Sequence, residues 1–436
     1  MKYVIVGSGV AGLAACEAIR SQDEAGEIYM LSDDPHGYYS RPGLAYYLTG
    51  EMHEKGLFPR TKSDWQFLHL RFVRGRAARI SPSDNQVELE NGSRLEYDRL
   101  LIAVGAQATR LNVPGADLEG VVKLDHMKDA KYILELARRG KTAVVVGGGI
   151  TALELVEGLL SRGVKVHYLL RGDRYWSNVL DEQESRIVEQ RLEEEGVSIH
   201  HHAELSKLIG NRGRVQGARL KDGFVLRCDV LAYAIGIRPR TRLAQQAGLE
   251  IDRGILVNEY LQTSNQNIFA AGDVAQVYDP MSGRSIIDSL WGPAREQGYA
   301  AGLNMAGEKK VYVKSVPFNV TRLAGLTTTI IGTVGRGRDE DLVGIARGDS
   351  ETWRALPEAI VAQTGFNVNR LRLLVGEKTL LGAIVIGDQK LSFALEKIIS
   401  SNANIASIRD KLLQPGAPIA DIIADYWTTW RAQYAS

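Results

Sequence analysis

Lys2-Tyr3-Val4-Ile5-Val6-Gly7-Ser8-Gly9-Val10-Ala11-Gly12, continuing into Leu13-Ala14-Ala15-Cys16-Glu17-Ala18-Ile19-Arg20, opens the chain and carries the strongest architectural signal in it. The short β-branched run is the pattern of a buried parallel strand, the glycines make a tight turn, and the alanine-rich segment is a helix packed close to the strand. Such a turn aims free backbone N–H groups and the positive end of a helix at a pyrophosphate, and only glycine lets the backbone come that near. Glycine-rich turns also serve packing, so the case depends on the rest of the chain.

The pattern recurs at Thr142-Ala143-Val144-Val145-Val146-Gly147-Gly148-Gly149-Ile150-Thr151-Ala152-Leu153-Glu154, after a helix expected to contain Ala130 to Arg139. Each unit has its own second strand. The first, Glu27 to Leu31, ends at Ser32-Asp33-Asp34-Pro35, where a dinucleotide fold offers an acid about 20 residues past the glycines to hold ribose hydroxyls. Asp33 and Asp34 are the candidates here. The second, Val164 to Leu170, ends at Arg171-Gly172-Asp173-Arg174.

Between and beyond them, Phe72 to Leu95 reads as a small antiparallel excursion turning at Asn91-Gly92. Further strand-and-turn segments are Leu100 to Ala106, Cys228 to Pro239 (leading back toward the first domain) and Asn267 to Ala275. Trp291-Gly292-Pro293 starts a helix with Pro293 in its first turn. From Val316 onward alternating runs read as a small antiparallel sheet followed by helices from Leu391 and from Pro418.

With 436 residues, two or three domains are expected. Lys plus Arg number 53 against 52 for Asp plus Glu, a balance that argues against a nucleic-acid or polybasic membrane protein. No apolar run approaches the roughly 20 residues that span a bilayer, and the first apolar run is too short for a signal peptide, so the cytoplasm is the default location. The two cysteines, Cys16 and Cys228, have no CxxC spacing and read as small buried hydrophobes.

Together these pieces resemble the flavoprotein family with two dinucleotide-binding domains that includes the pyridine nucleotide-disulfide reductases. The motifs GSGVAG, LIAVGA, VVVGGGITALE, AIGIRP and IFAAGDVA occur in the family's order over residues 1 to about 310. YYSRPGLAYYLTG and LWGPAREQGYAAG are similar to the branch without a redox dithiol: rubredoxin and ferredoxin reductases and the diaphorase module of assimilatory nitrite reductase. The resemblance implies an α/β fold of two Rossmann-like three-layer domains plus a small α+β C-terminal domain. An FAD-binding domain would comprise 1–112 and 246–315, an NAD(P)-binding domain 113–245, and an interface domain 316–436.

On this resemblance Gly7, Gly9, Val10, Ala11 and Gly12 would cradle the FAD pyrophosphate, and Gly272 with Asp273 would hold ribitol and pyrophosphate-side groups. Ser32 stands where many members carry a ribose-binding Glu, so that contact shifts to Asp33 or to backbone. Arg41 and Pro42 would line the flavin, with Ala103, Val104 and Gly105 beside it. The helix start at Trp291 would bring N–H groups to the pyrimidine edge, where a helix N-terminus favours negative charge. Gly147, Gly149, Ile150 and Ala152 would bind the nicotinamide nucleotide, Gly236 would lie at the same site, and Glu154 would face the nicotinamide pocket as a positioning residue. Leu170 in place of an acid, with Arg171 and Arg174 just after it, leans toward NADPH over NADH.

No cysteine stands near Pro42 or on the first helix as a pair, so a thiol relay is not expected. The expected reaction is hydride transfer from NAD(P)H to FAD, then electron transfer to an acceptor such as a small iron–sulfur or rubredoxin-type protein. A diaphorase subunit of a larger complex and a flavin-loaded redox sensor are the alternatives. The stripe Ile419, Ile422, Ile423, Tyr426, Trp427, Trp430 and Tyr434 on the last helix fits packing on the same chain, a homodimer or partner contact, or a membrane surface. Arg336 to Asp341 reads as a solvated loop.

Overall fold

The computed structural model describes residues 1–280, 283–334 and 369–434, so the loop expected at Arg336 to Asp341 lies outside the described residues. Lys2–Val6 is the central strand of a five-stranded parallel sheet ordered Ile268–Ala270, Arg99–Ile102, Lys2–Val6, Glu27–Ser32, Leu70–Arg74. Its apolar continuity follows from position: Val4 and Ile5 are fully buried, with helices Val10–Gln22 and Trp291–Met305 packed on the sheet and Ile80, Val87 and Leu89 of a small antiparallel sheet in the same core. A second five-stranded parallel sheet repeats the plan with Thr142–Val146 at its centre, ordered Ser198–His200, Lys165–Leu169, Thr142–Val146, Val230–Tyr233, Val121–Val122. A two-stranded antiparallel ribbon, Ala106–Ala108 with Ile237–Pro239, runs between the two sheets, so the chain after Val230–Tyr233 does lead back toward the first unit.

Helix Trp291–Met305 lies against helix Val10–Gln22 with backbones nearly touching. A Cβ on Gly298 would stand 2.1 Å from Ala11 O and one on Gly302 would stand 2.5 Å from Ala15 O. Gly298 and Gly302 are therefore there for approach, and they set the middle of the later helix against the first turns of the earlier one.

The last region is a four-stranded antiparallel sheet ordered Phe318–Leu323, Leu326–Gly332, Leu380–Ile386, Arg370–Val375. One face shares an apolar core with the second unit, where Leu323, Leu326, Ile330, Ile384 and Ile386 join Leu48, Val156 and Leu159. Polar contacts frame that core. Arg372 Nε donates to Glu184 Oε1 at 2.8 Å, Arg370 Nη2 to Asp181 Oδ2 at 2.6 Å, and Arg191 Nε to Ala324 O at 3.0 Å.

Several local expectations shift. The helix expected to reach Arg139 is Met127–Leu136, ended by Ala137 leaving helical geometry. Phe72 belongs to the parallel sheet rather than to the antiparallel excursion, which comprises Ala77–Ser81, Gln86–Leu89 and Arg94–Glu96 with Gly92 at φ 83° in the turn. A short helix, Ala406–Leu412, precedes the last one, Ile419–Tyr434. Ile423 is fully buried, and Tyr426, Trp427 and Trp430 pack half-buried with it against Leu395, Ile398 and Leu412, so the stripe covers this chain's own helices. Among the described residues no helix is long and apolar enough to cross a membrane.

Candidate nucleotide sites

The first cradle is built by backbone proximity. Gly7 has φ 119°, and a Cβ there would sit 2.2 Å from Ala103 O; a Cβ on Gly12 would sit 2.1 Å from Gly7 O. Gly9 has open space around its Cβ position and precedes helix Val10–Gln22 without a side-chain cap, leaving the N–H groups of Val10, Ala11 and Gly12 at an open helix start. Gly272, at φ 77°, lies where an added Cβ would stand 3.2 Å from Ala11 Cβ, and it donates its N–H to Gln297 Oε1 at 2.8 Å. Gly105 turns the chain away at φ 65° just beyond Ala103 and Val104. The structure thus brings Gly7, Gly9, Val10, Ala11, Gly12, Ala103 and Gly272, followed in sequence by Asp273, to one end of the sheet.

At the ribose end, the Ser8 hydroxyl donates to Ser32 Oγ at 2.9 Å, and Ser32 Oγ accepts the Asp34 N–H at 3.2 Å. Asp33 is held by Arg76, whose Nε and Nη2 lie 2.8 and 2.7 Å from Asp33 Oδ2. Asp34 caps His36 N–H at 3.0 Å. Asp33 is thereby oriented by a cation just past the Leu70–Arg74 strand, a partner that no spacing rule flags.

Arg41 and Pro42 lead into helix Gly43–Thr49, which links the two units: Tyr39 accepts the Met127 N–H at 3.0 Å, and Arg162 Nε donates to Leu48 O at 3.0 Å. Arg41 lies in a cationic neighbourhood that sequence reasoning missed. The side chain of Asp125 is almost fully buried among Lys123 Nζ at 3.5 Å, His126 Nε2 at 3.5 Å and Arg240 Nη2 at 3.7 Å. Burial foremost, then Arg41, holds the His126 pKa below the usual imidazole range. These four residues come from two strand-end loops far apart in sequence, and only the fold collects them.

The residues present fit FAD. The uncapped helix start after Gly9 is open, and buried polar atoms without a protein partner are found at Ser40 Oγ, Ser289 Oγ and Trp291 Nε1. A heteroaromatic ring system carrying carbonyls and ring nitrogens is the kind of group that satisfies such atoms.

The second cradle matches the first. Gly147 has φ 143°, and its Cβ would meet Ala234 O at 2.2 Å and Ala152 Cβ at 3.0 Å. Gly149 precedes helix Ile150–Leu160 uncapped, and Glu154 is half-buried one turn on. Gly236, at φ 106°, turns the chain beside it. Arg171 is exposed. Arg174 is already engaged, donating to Asp173 Oδ2 at 2.9 Å and to Ser177 O at 3.2 Å.

Both thiols are buried, and burial pushes each pKa up to about 12. Neither is a usable thiolate near neutral pH.

Two parallel sheets, each ending in a glycine cradle at an uncapped helix start, define a protein built to hold two nucleotides. Residues 1–298 match the model of the family described as pyridine nucleotide-disulphide oxidoreductase, and the chain belongs to that family. It is an FAD-dependent oxidoreductase acting with NAD(P)H, and its two cysteines form no disulfide. The ferredoxin–NAD(+) reductase component of the biphenyl dioxygenase system of Paraburkholderia xenovorans is 31% identical over 84% of this chain and 90% of that protein. Nitrite reductase [NAD(P)H] of Bacillus subtilis is 27% identical over 95% of this chain and 49% of that protein, so the chain spans about half the length of that relative. The covalent putidaredoxin reductase–putidaredoxin complex superposes with a TM-score of 0.81 at 23% identity, covering 97% of this chain and 98% of that one.

Proposed function

We propose that this chain takes hydride from a nicotinamide nucleotide at Gly147, Gly149, Ile150 and Glu154 and passes electrons singly to a small iron–sulfur or rubredoxin-type protein. The domains divide accordingly: 1–112 with 246–315 for FAD, 113–245 for NAD(P)H, 316–436 as the interface. The observation that carries this reading is the pair of matched cradles combined with two buried thiols that are too basic to serve as a relay. Bound FAD supplies hydride acceptance and one-electron release.

The chain's own residues bind and orient. Gly7, Gly9, Val10, Ala11 and Gly12 receive the pyrophosphate, and Asp33, set by Arg76, offers an acceptor for ribose. Arg41, Pro42, Ala103, Val104 and Gly105 frame the ring system, Gly272 and Asp273 hold the ribitol side, and Trp291 begins the helix aimed at the pyrimidine edge. For coenzyme choice the lean to NADPH now rests on Arg171 and on Leu170 in the acid's place, because Arg174 is spent on Asp173. Relatives named as ferredoxin and rubredoxin reductases support a protein acceptor.

A second reading is favoured by one observation: nearly the whole chain matches half of a nitrite reductase, so it also suits the diaphorase role in a larger assembly. The test is direct. Purified protein is scanned for flavin absorbance, reduced anaerobically with NADH and NADPH in turn, and offered rubredoxin, a [2Fe–2S] ferredoxin and a dye. Turnover with an isolated carrier supports the reductase; dye turnover without carrier turnover supports the diaphorase; a colourless protein that takes up no FAD overturns both.

A further inference from the structure

One buried side-chain cluster near the helix start at Trp291 lies outside the residues assigned above to either nucleotide. Lys314 follows helix Trp291–Met305, and its side chain is only 2% exposed. Its Nζ lies 3.7 Å from Asp288 Oδ2 and 3.9 Å from Asp279 Oδ1, and donates to Ser315 O at 3.4 Å. Asp288 and Asp279 are each 7% exposed at the side chain. A lysine is almost never buried to this extent unless paired, and here two carboxylates flank one ammonium.

The location gives the cluster its meaning. Asp288 comes just before the helix start at Trp291, and its carboxyl accepts the Leu290 N–H. Asp273 and Glu296 are close enough to act on its charge. Around it stand buried polar atoms without hydrogen-bond partners: Asp288 Oδ2, Ser289 Oγ and Trp291 Nε1. Glu296, from the same helix, accepts from the Ser315 hydroxyl at 3.1 Å. Asp279 and Asp288 are thus buried behind the end of the site where the helix start would meet the pyrimidine edge, with half-buried Asp273 and exposed Glu296 beside them, and Lys314 is the buried cation among them.

We infer that Lys314, held by Asp279 and Asp288, is the positioning charge that sets the reduction potential of the bound flavin. Negative charge gained at the pyrimidine edge is disfavoured by buried carboxylates and favoured by a buried ammonium, and at low dielectric such charges act over several ångströms with little screening. Lys314 offsets the carboxylates that would otherwise make the site hard to reduce. Asp288 sets the pH response: burial raises its pKa against the opposing pull of Lys314, so it gives up its proton at higher pH than an exposed aspartate and adds negative charge as pH rises. The flanking groups that share in this are Asp273, Asp279, Glu296 and Tyr312.

This inference rests on the FAD reading of the first site, and one experiment separates the two. Parent, Lys314→Met, Lys314→Arg and Asp288→Asn are purified, flavin content is read from absorbance, and midpoint potentials are measured by spectroelectrochemical titration across pH 5 to 9. Absence of flavin in the parent overturns the site assignment itself. With flavin present, Lys314→Met is expected to shift the potential negative and Lys314→Arg to restore it. Asp288→Asn is expected to shift it positive at the alkaline end and remove the extra pH dependence. Equal potentials and equal pH slopes in all four proteins overturn the inference, since a residue that only fastens the 312–315 segment would move melting temperature and leave the potential alone. If Lys314→Met fails to retain flavin, Asp288→Asn decides alone, and an unshifted potential there overturns it.

Discussion

Ser32 and Leu170 occupy the same register position in the two sheets. Gly7 N–H donates to Leu31 O at 2.8 Å and Gly147 N–H to Leu169 O at 3.4 Å, so each residue is the first one past its strand's last bond to the glycine turn. One unit has a small hydroxyl there, bonded to Ser8; the other has a buried Leu and then the exposed Arg171. Nothing acidic at that point opposes a 2′-phosphate.

Arg171→Ala is expected to lower kcat/KM for NADPH by about tenfold or more, the loss of a charge-assisted phosphate contact, while NADH is affected less than about threefold. Steady-state kinetics with both coenzymes checks this. Equal losses for the two would show that Arg171 does not read the 2′ position.

The two cradles are separable. Gly7→Ala forces a Cβ to within 2.2 Å of Ala103 O and should yield protein without flavin absorbance. Gly147→Ala meets Ala234 O at the same distance but lies in the other sheet; it should keep its flavin and lose nicotinamide affinity by about tenfold to a hundredfold, the scale of a 1–3 kcal/mol backbone strain. Absorbance after gel filtration and rapid-mixing reduction kinetics distinguish the two outcomes.

Glu157 gives a pH dependence with a definite sign. It lies beneath the C-terminal sheet, accepts the Gly325 N–H at 3.2 Å, and burial raises its pKa to about 7. The folded state therefore holds a proton that the unfolded chain releases near pH 4.5, so this group's stabilisation is present below that pH and is lost as pH climbs to about 7. Glu157→Gln should remove that loss, making the variant more stable relative to parent at pH 8 than at pH 5, by on the order of 2 kcal/mol. Denaturant melts at the two pH values measure it, and an unchanged difference would refute it.

Cys16→Ala with Cys228→Ala should leave turnover within about twofold of parent, because thiols with pKa values near 12 take no part near neutral pH. Neither protein should show a long-wavelength thiolate band on anaerobic reduction; such a band in the parent, lost in the variant, would contradict the direct electron path.

Much of the site was legible because its chemistry is backbone chemistry. Glycine at 7, 12 and 147 is demanded by atoms of the neighbouring backbone at or inside van der Waals distance of a Cβ, and that demand is visible as spacing alone. Arg174 shows the limit: spacing placed it near a ribose, yet Asp173 already holds it, and spacing gave no sign that Arg76 would orient Asp33 through Oδ2. A side chain's free valence depends on neighbours from other strands, and no local pattern carries that.

Two nucleotide units in order, the missing dithiol and a separate C-terminal sheet could all be read from the residues in line, because strand periodicity, glycine turns and residue identity are local properties. Which charges share a space could not. Asp125 with Lys123, His126 and Arg240, and Lys314 with Asp279 and Asp288, are assembled by segments that meet at sheet ends and helix starts. Burial then governs how strongly those charges act, and burial is a property of the packed chain rather than of any stretch of it.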